Sequence, residues 1–261
     1  MSDSLVSTDR RSFLRAAAAG AATLAVPDLL RADPRTPRRQ ARPASPVRVR
    51  GQVRGDGRGL GRVAVTDGVT VVDTGADGSF ELLSAADREF VAVSLPSGYR
   101  IPQSPTGTAR LYRPMSVDNA GEMIAQFDLE PTHASDEDHA LFLLADIQVQ
   151  DMDEVGWFHE QTVPDVRALA ASMGVAEVFG LSCGDIMYDD LDLYPEYERG
   201  VQQTGIPFFQ VLGNHDMDYG FRGDHASHLT FSRHFGPRYY SFNRGQVHYV
   251  VLDDVFWHGV G

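Results

Sequence analysis

PFFQVLGNHD, residues 207–216, is an apolar run that passes through one glycine into Asn214, His215 and Asp216. A strand is predicted over 207–212, with Gly205 before it and Gly213 after it as residues that break regular structure. Three polar side chains in succession at a strand end point to chemistry rather than packing. Successive residues face different ways, so Asn214 and His215 are expected to address different partners.

Upstream the pattern occurs twice more. Residues 176–183 form an apolar run ending in Gly184 and Asp185, and 140–145 (ALFLLA) form another ending in Asp146, Ile147 and Gln148. The latter is continuous, as expected for a strand buried on both faces. Helical stretches fill the gaps: 162–173, with Pro164 in its first turn and Gly174 past its end, and 193–203. A β-α-β-α-β order with right-handed crossovers lays the three strands parallel. Ligands bind such sheets beyond the carboxyl ends of the strands, and all three polar clusters fall there.

The residue types select the chemistry. Asp146, Gln148, Asp185 and Asn214 offer oxygen ligands, suited to Mn, Mg, Fe or Zn in a mixed site. A carboxylate such as Asp185 can bridge two ions about 3.5–4 Å apart, the spacing of two-metal hydrolases.

LADIQ (144–148), CGDIMYDD (183–190), VLGNHD (211–216) and GPRYYSFNRGQVHYVVLDD (236–254) together resemble a calcineurin-like metallophosphoesterase. The resemblance covers about 140–261. It implies an α/β fold, the αββα metallophosphoesterase sandwich, here incomplete. It also implies two divalent ions, with Asp146, Gln148 and Asp185 at the first and Asp185 and Asn214 at the second. A metal-bound hydroxide would attack phosphorus in line, and His215, oriented by Asp216, would assist the leaving oxygen.

Two departures from the family pattern stand out. Gln148 occupies a position that most of the family gives to His, and an amide is the weaker ligand. Gly184 to Tyr188 also fits the GDxxY pattern of purple acid phosphatases, in which the Tyr binds ferric iron; here Tyr188 is expected to pack over the site. The resemblance further implies downstream His ligands, including a G-H-x-H strand end. His225, His228, His234, His248 and His258 lack that context, with His228 and His234 expected on a surface helix. The 261 residues are therefore expected to be a truncated or partial product, lacking the second half of the sandwich. Asp151, Asp153, Asp189, Asp190, Asp192, Asp218, Asp253 and Asp254 crowd the same side of the sheet; some are expected as outer partners that orient ligands, and most as helix caps or solvated loop residues.

Residues 47–130 carry short β-prone runs broken by Asp67-Gly68 and Asp77-Gly78, turn signals between alternating strands. They predict a small antiparallel all-β sandwich ahead of the catalytic part at 138–261. Their Gly and Asp spacing resembles transthyretin-like or carboxypeptidase-regulatory-like modules, and a structural spacer is the expected role. Before the module, Arg10 and Arg11, Phe13, Leu14 and an Ala-rich stretch resemble a twin-arginine export signal over 1–32, too short to span a bilayer. A Pro- and Arg-rich linker follows over 33–46. The resemblance implies an exported protein, periplasmic or extracellular.

Composition narrows the partners. The net charge is −13, but residues 1–50 hold ten Arg and four Asp, which leaves −19 on 51–261. Such an acidic body argues against nucleic acid as a partner, so no nucleic-acid binding surface is expected, and an anionic substrate needs bound cations to approach it. The single cysteine, Cys183, rules out an internal disulfide and is expected as a small buried hydrophobe. The leading reading is a metal-dependent hydrolase of phosphoesters, mono- or diester, with a small molecule, lipid headgroup or nucleotide as substrate. The competing reading is a non-catalytic envelope or binding protein on a degenerate phosphoesterase fold.

Overall fold

The computed structural model describes residues 46–221 and 223–258. The export-signal reading and nearly all of the expected linker lie outside those residues. The first strand, β1 (Pro46–Gly55), alternates buried Val47, Val49 and Val53 with exposed Arg48, Arg50 and Arg54, the period-2 pattern of a strand with one face in the core. It pairs antiparallel with β2 (Arg58–Gly59) and β5 (Ser79–Ala85), and parallel with β8 (Glu122–Leu129). A second sheet runs in the order β4 (Val71–Asp73), β3 (Ala64–Thr66), β6 (Phe90–Val93), β7 (Tyr112–Pro114), all antiparallel. The sandwich is therefore not purely antiparallel as the sequence predicts. The β1–β8 pair joins segments some seventy residues apart, and alternation is blind to partner direction.

The second region is a parallel sheet in the order β11 (Phe208–Val211), β10 (Glu177–Cys183), β9 (His139–Leu144). Helices α1 (Met152–Trp157), α2 (Val163–Ser172) and α3 (Tyr194–Thr204) join these strands, and α4 (Leu229–Phe235) follows β11. Val155, Val166, Tyr197, Val201 and Phe235 from these helices gather with Phe208 and Leu212 in one core. The predicted start near Thr162 is displaced: the helix begins at Met152 and passes through a π-type turn, Phe158–Thr162, into α2. Pro164 follows that wide turn, where the missing N–H and the bulk of its ring are accommodated. Strand β9 is also less buried than expected, with Leu143 61% exposed.

Opposite the helices, the hairpin β12 (Tyr240–Arg244) and β13 (Val247–Val251) packs on the sheet. Phe179 of β10, Phe209 of β11 and Phe242 of β12 belong to the same buried cluster as the core of the sandwich. Phe209 and Phe242 stack with centroids 3.8 Å apart. The backbone joins the regions too. Ala109 N donates to Phe208 O (2.7 Å), Phe208 N to Gly107 O (3.0 Å), and Asn243 N to Leu95 O (2.8 Å). Arg244, wholly buried, reaches Tyr99 O and Asp136. The β module is thus built into the sheet's core and closes the β11 edge, which is more than the spacer role expected of it.

Candidate active site at the strand ends

The carboxyl ends of β9, β10 and β11 meet through hydrogen bonds made by the predicted residues themselves. Gln148 N donates to Asp185 O (2.9 Å), and its side-chain Nε2 donates to Asp185 Oδ2 (3.1 Å). Asp185 Oδ1 accepts from His215 N (3.0 Å). One carboxylate therefore ties the β9 end to the GNHD turn. Gly213 is what lets that turn approach: a Cβ there would lie 2.0 Å from Asp185 N.

The backbone is strained where these residues sit. Among the described residues six non-glycine residues have positive φ, and four of them are Asp146 (50°), Gln148 (47°), Asp185 (48°) and Asp189 (67°). Each such conformation costs on the order of 1–2 kcal/mol in an L residue, and such strain concentrates where side-chain placement matters more than stability. Asp146 and Asn214 are exposed at the strand ends, and neither side chain makes a hydrogen bond among the described residues.

His215 is not oriented by Asp216. Its Nδ1 lies 2.7 Å from Asp189 Oδ1, and its ring stacks on Tyr188 with centroids 4.2 Å apart and planes 21° apart. Nε2 is left as the nitrogen available to a ligand. Asp216 points the other way and is completely buried. Its carboxylate accepts from Ile186 N (3.0 Å), Met187 N (3.1 Å), Gly213 N (3.0 Å) and Tyr194 Oη (3.1 Å). Burial pushes the Asp216 carboxyl up to about 6, and those donors pull it back. Asp216 thus holds the two glycine turns together from inside. The sequence groups Asp189, 26 residues before His215, with the acids from which orienting partners are expected, but does not single it out; its only signal is membership of the acid-rich run after Asp185.

Other expectations divide similarly. Tyr188 packs over the site, on His215, as expected. Tyr219, absent from the sequence reading, donates to Asn214 O (2.7 Å), and burial followed by the neighbouring Asp189 pushes its phenol up to about 12. Cys183 is exposed rather than buried, because it lies past the core at the end of β10. Partial burial and then the charge of Asp146 push its thiol up. His228 is buried instead of lying on a surface, with Nδ1 3.0 Å from Ser232 Oγ and Nε2 3.5 Å from Glu89. Asp151 caps α1, Asp190 caps the 3-10 turn Leu191–Leu193, and Asp218 binds Thr230 N (2.8 Å) in α4.

Residues 47–132 match the family model described as the N terminal of calcineurin-like phosphoesterase. That match lies wholly on the β module and supports the calcineurin-like phosphoesterase family, whose members hydrolyse phosphoesters. No curated protein matches the chain.

The donor set fits a hard divalent cation by type. Asp146 and Asn214 are free to turn to a ligand, and Gln148, with its Nε2 on Asp185, keeps its amide oxygen uncommitted. In number the set is spare. Among the described residues no group of three or more His, Cys, Asp or Glu side chains is gathered to hold a metal. Nor, among them, is any helix long and apolar enough to cross a membrane.

Proposed function

We propose that the chain is a phosphoester hydrolase whose active site is the junction of the three strand ends. The observation that carries this reading is the Asp185 carboxylate, which takes a side-chain N–H from Gln148 and a backbone N–H from His215 at once. Asp146, Gln148, Asp185 and Asn214 would supply part of the shell of two divalent cations (Mn, Fe, Zn or Mg), which when bound would supply charge neutralisation for the phosphoryl oxygens and a more acidic water. A second cation needs donors beyond these four. The chain's own residues do the rest. Asp185 fixes the GNHD turn, Asp189 holds Nδ1 of His215, and Tyr188 keeps the imidazole flat. Nε2 then faces the substrate and hands a proton to the leaving oxygen. Export through a twin-arginine signal, and a transthyretin-like ancestry for the module, belong to the same proposal.

The test is hydrolysis of 4-nitrophenyl phosphate and bis(4-nitrophenyl) phosphate with added Mn, Zn or Mg. Asp185→Ala and His215→Ala should each lower kcat by roughly 10²-fold or more. Asp189→Asn should lower it about tenfold, by removing the charge that orients His215. The sparse carboxylate count favours a second reading, a non-catalytic binding protein. Absence of both turnover and metal uptake in the wild-type chain would establish that reading instead.

A further inference from the structure

Between the β module and α4 lies a cleft of about 550 Å³. Three arginines line it, Arg88, Arg110 and Arg233, together with the rings of Phe90, Tyr112 and Phe221. Three parts of the chain converge there: the approach to β6, the approach to β7, and the loop and helix after the GNHD turn. Such a gathering runs against composition, because residues 51–261 hold thirteen Arg against thirty-two Asp and Glu.

Arg110 and Arg233 are not committed to acids. Among the described residues, neither Arg110 nor Arg233 forms a salt bridge. Arg233 donates to Leu229 O (3.3 Å) and Thr230 Oγ1 (2.6 Å). The Arg110 guanidinium lies 5.7 Å from the centre of the Tyr112 ring. Arg88 pairs with the adjacent Asp87, at 3.7 Å. Among the described residues of the lining the one carboxylate, Glu89, lies 3.5 Å from Nε2 of His228. Like charges facing one void repel unless an anion lies among them, and guanidinium forks match oxyanions.

We infer that this cleft binds an organic anion, its oxyanion head held by Arg110 and Arg233 and its apolar or aromatic body laid against Phe90, Tyr112 and Phe221. The volume is that of a small-molecule site, which typically spans about 300–1,000 Å³. The inference does not depend on the phosphoester reading. The two sites are nonetheless neighbours in the chain, since the loop whose Tyr219 touches Asn214 also carries Phe221.

Calorimetric titration of the full chain with 2-naphthalenesulfonate, 2-naphthol and inorganic phosphate tests it. The sulfonate should bind saturably, and the neutral naphthol and bare phosphate at least about tenfold more weakly. Arg110→Ala/Arg233→Ala should weaken the sulfonate at least about tenfold with the thermal midpoint unchanged, whereas His215→Ala should leave binding as it was. If the alanine pair loses the fold, Arg110→Gln/Arg233→Gln replaces it. No saturable binding, equal binding of naphthol or phosphate, full binding in the folded double variant, or loss of binding in His215→Ala would each overturn the assignment.

Discussion

The β module and the parallel sheet both turn their strands sharply, and at several of those turns they meet the same backbone demand with different residues. In the module the left-handed positions after Asp67 and Asp77 go to Gly68 (φ 90°) and Gly78 (φ 80°). The preceding aspartates serve the turn itself, Asp67 Oδ1 accepting from Val69 N and Thr70 N, and Asp77 Oδ1 from Ser79 N. At the strand ends of the sheet, left-handed positions go to Asp146, Gln148, Asp185 and Asp189. Glycine would fill those positions without strain. Asp56 (φ 51°) and Arg62 (φ 63°) take the same conformation in the module and Gly184 takes it in the sheet, so it is the clustering of four polar residues at the strand ends that marks where an oxygen is needed at the turn.

The two regions differ in chemistry but share a core, and breaking that core should have the largest effect. Phe242 is fully buried between Phe209 and Tyr249, stacked on both. Phe242→Ala should cost about 3–5 kcal/mol. In urea the module and the sheet should unfold in one transition, followed by fluorescence and far-UV circular dichroism. Two separated transitions would show that the module folds on its own and that the comparison is between two domains.

The next effect separates acids within the site. Asp216 makes no contact with the open face and satisfies three backbone N–H groups and the Tyr194 hydroxyl. Asp216→Ala leaves those buried donors unpaired, and should cost about 2–3 kcal/mol in urea denaturation. A loss below about 0.5 kcal/mol, the scale of surface substitutions, would mean that Asp216 is not the brace between the glycine turns.

Much of this was legible in the chain. The three strands are written as apolar runs ending in glycine or acid, and β10 and β11 bury Phe179, Phe208 and Phe209 accordingly. The meeting of Gln148, Asp185 and His215 follows from parallel strands whose ends align. The start of α1 was legible but overlooked: Asp151 is an N-cap residue that accepts from Glu154 N, and Glu154 reaches back to accept from Gln150 N, one residue before the cap. Other features were not legible. The adjacency of Asp216 to His215 in sequence suggests a pair, yet successive side chains diverge, and the true partner, Asp189, arrives from the previous loop. The burial of His228 depends on Glu89, from the other region, and no local pattern carries that.

The smallest effect on stability is the sharpest test of the comparison. Asp146 is exposed, its side chain makes no hydrogen bond among the described residues, and its φ is 50°. If it sits there as a turn residue, like Gly68 or Gly78, Asp146→Gly should keep activity. If its oxygen is the reason for the strain, glycine relieves about 1 kcal/mol of backbone cost, offset in part by the larger entropy of the unfolded glycine chain. Stability should then hold or rise by a few tenths of a kcal/mol, while metal-dependent turnover falls by roughly 10²-fold. Thermal midpoint and phosphodiester hydrolysis on one preparation decide between them. A variant both active and stable would remove Asp146 from the site and return that strand end to an ordinary turn.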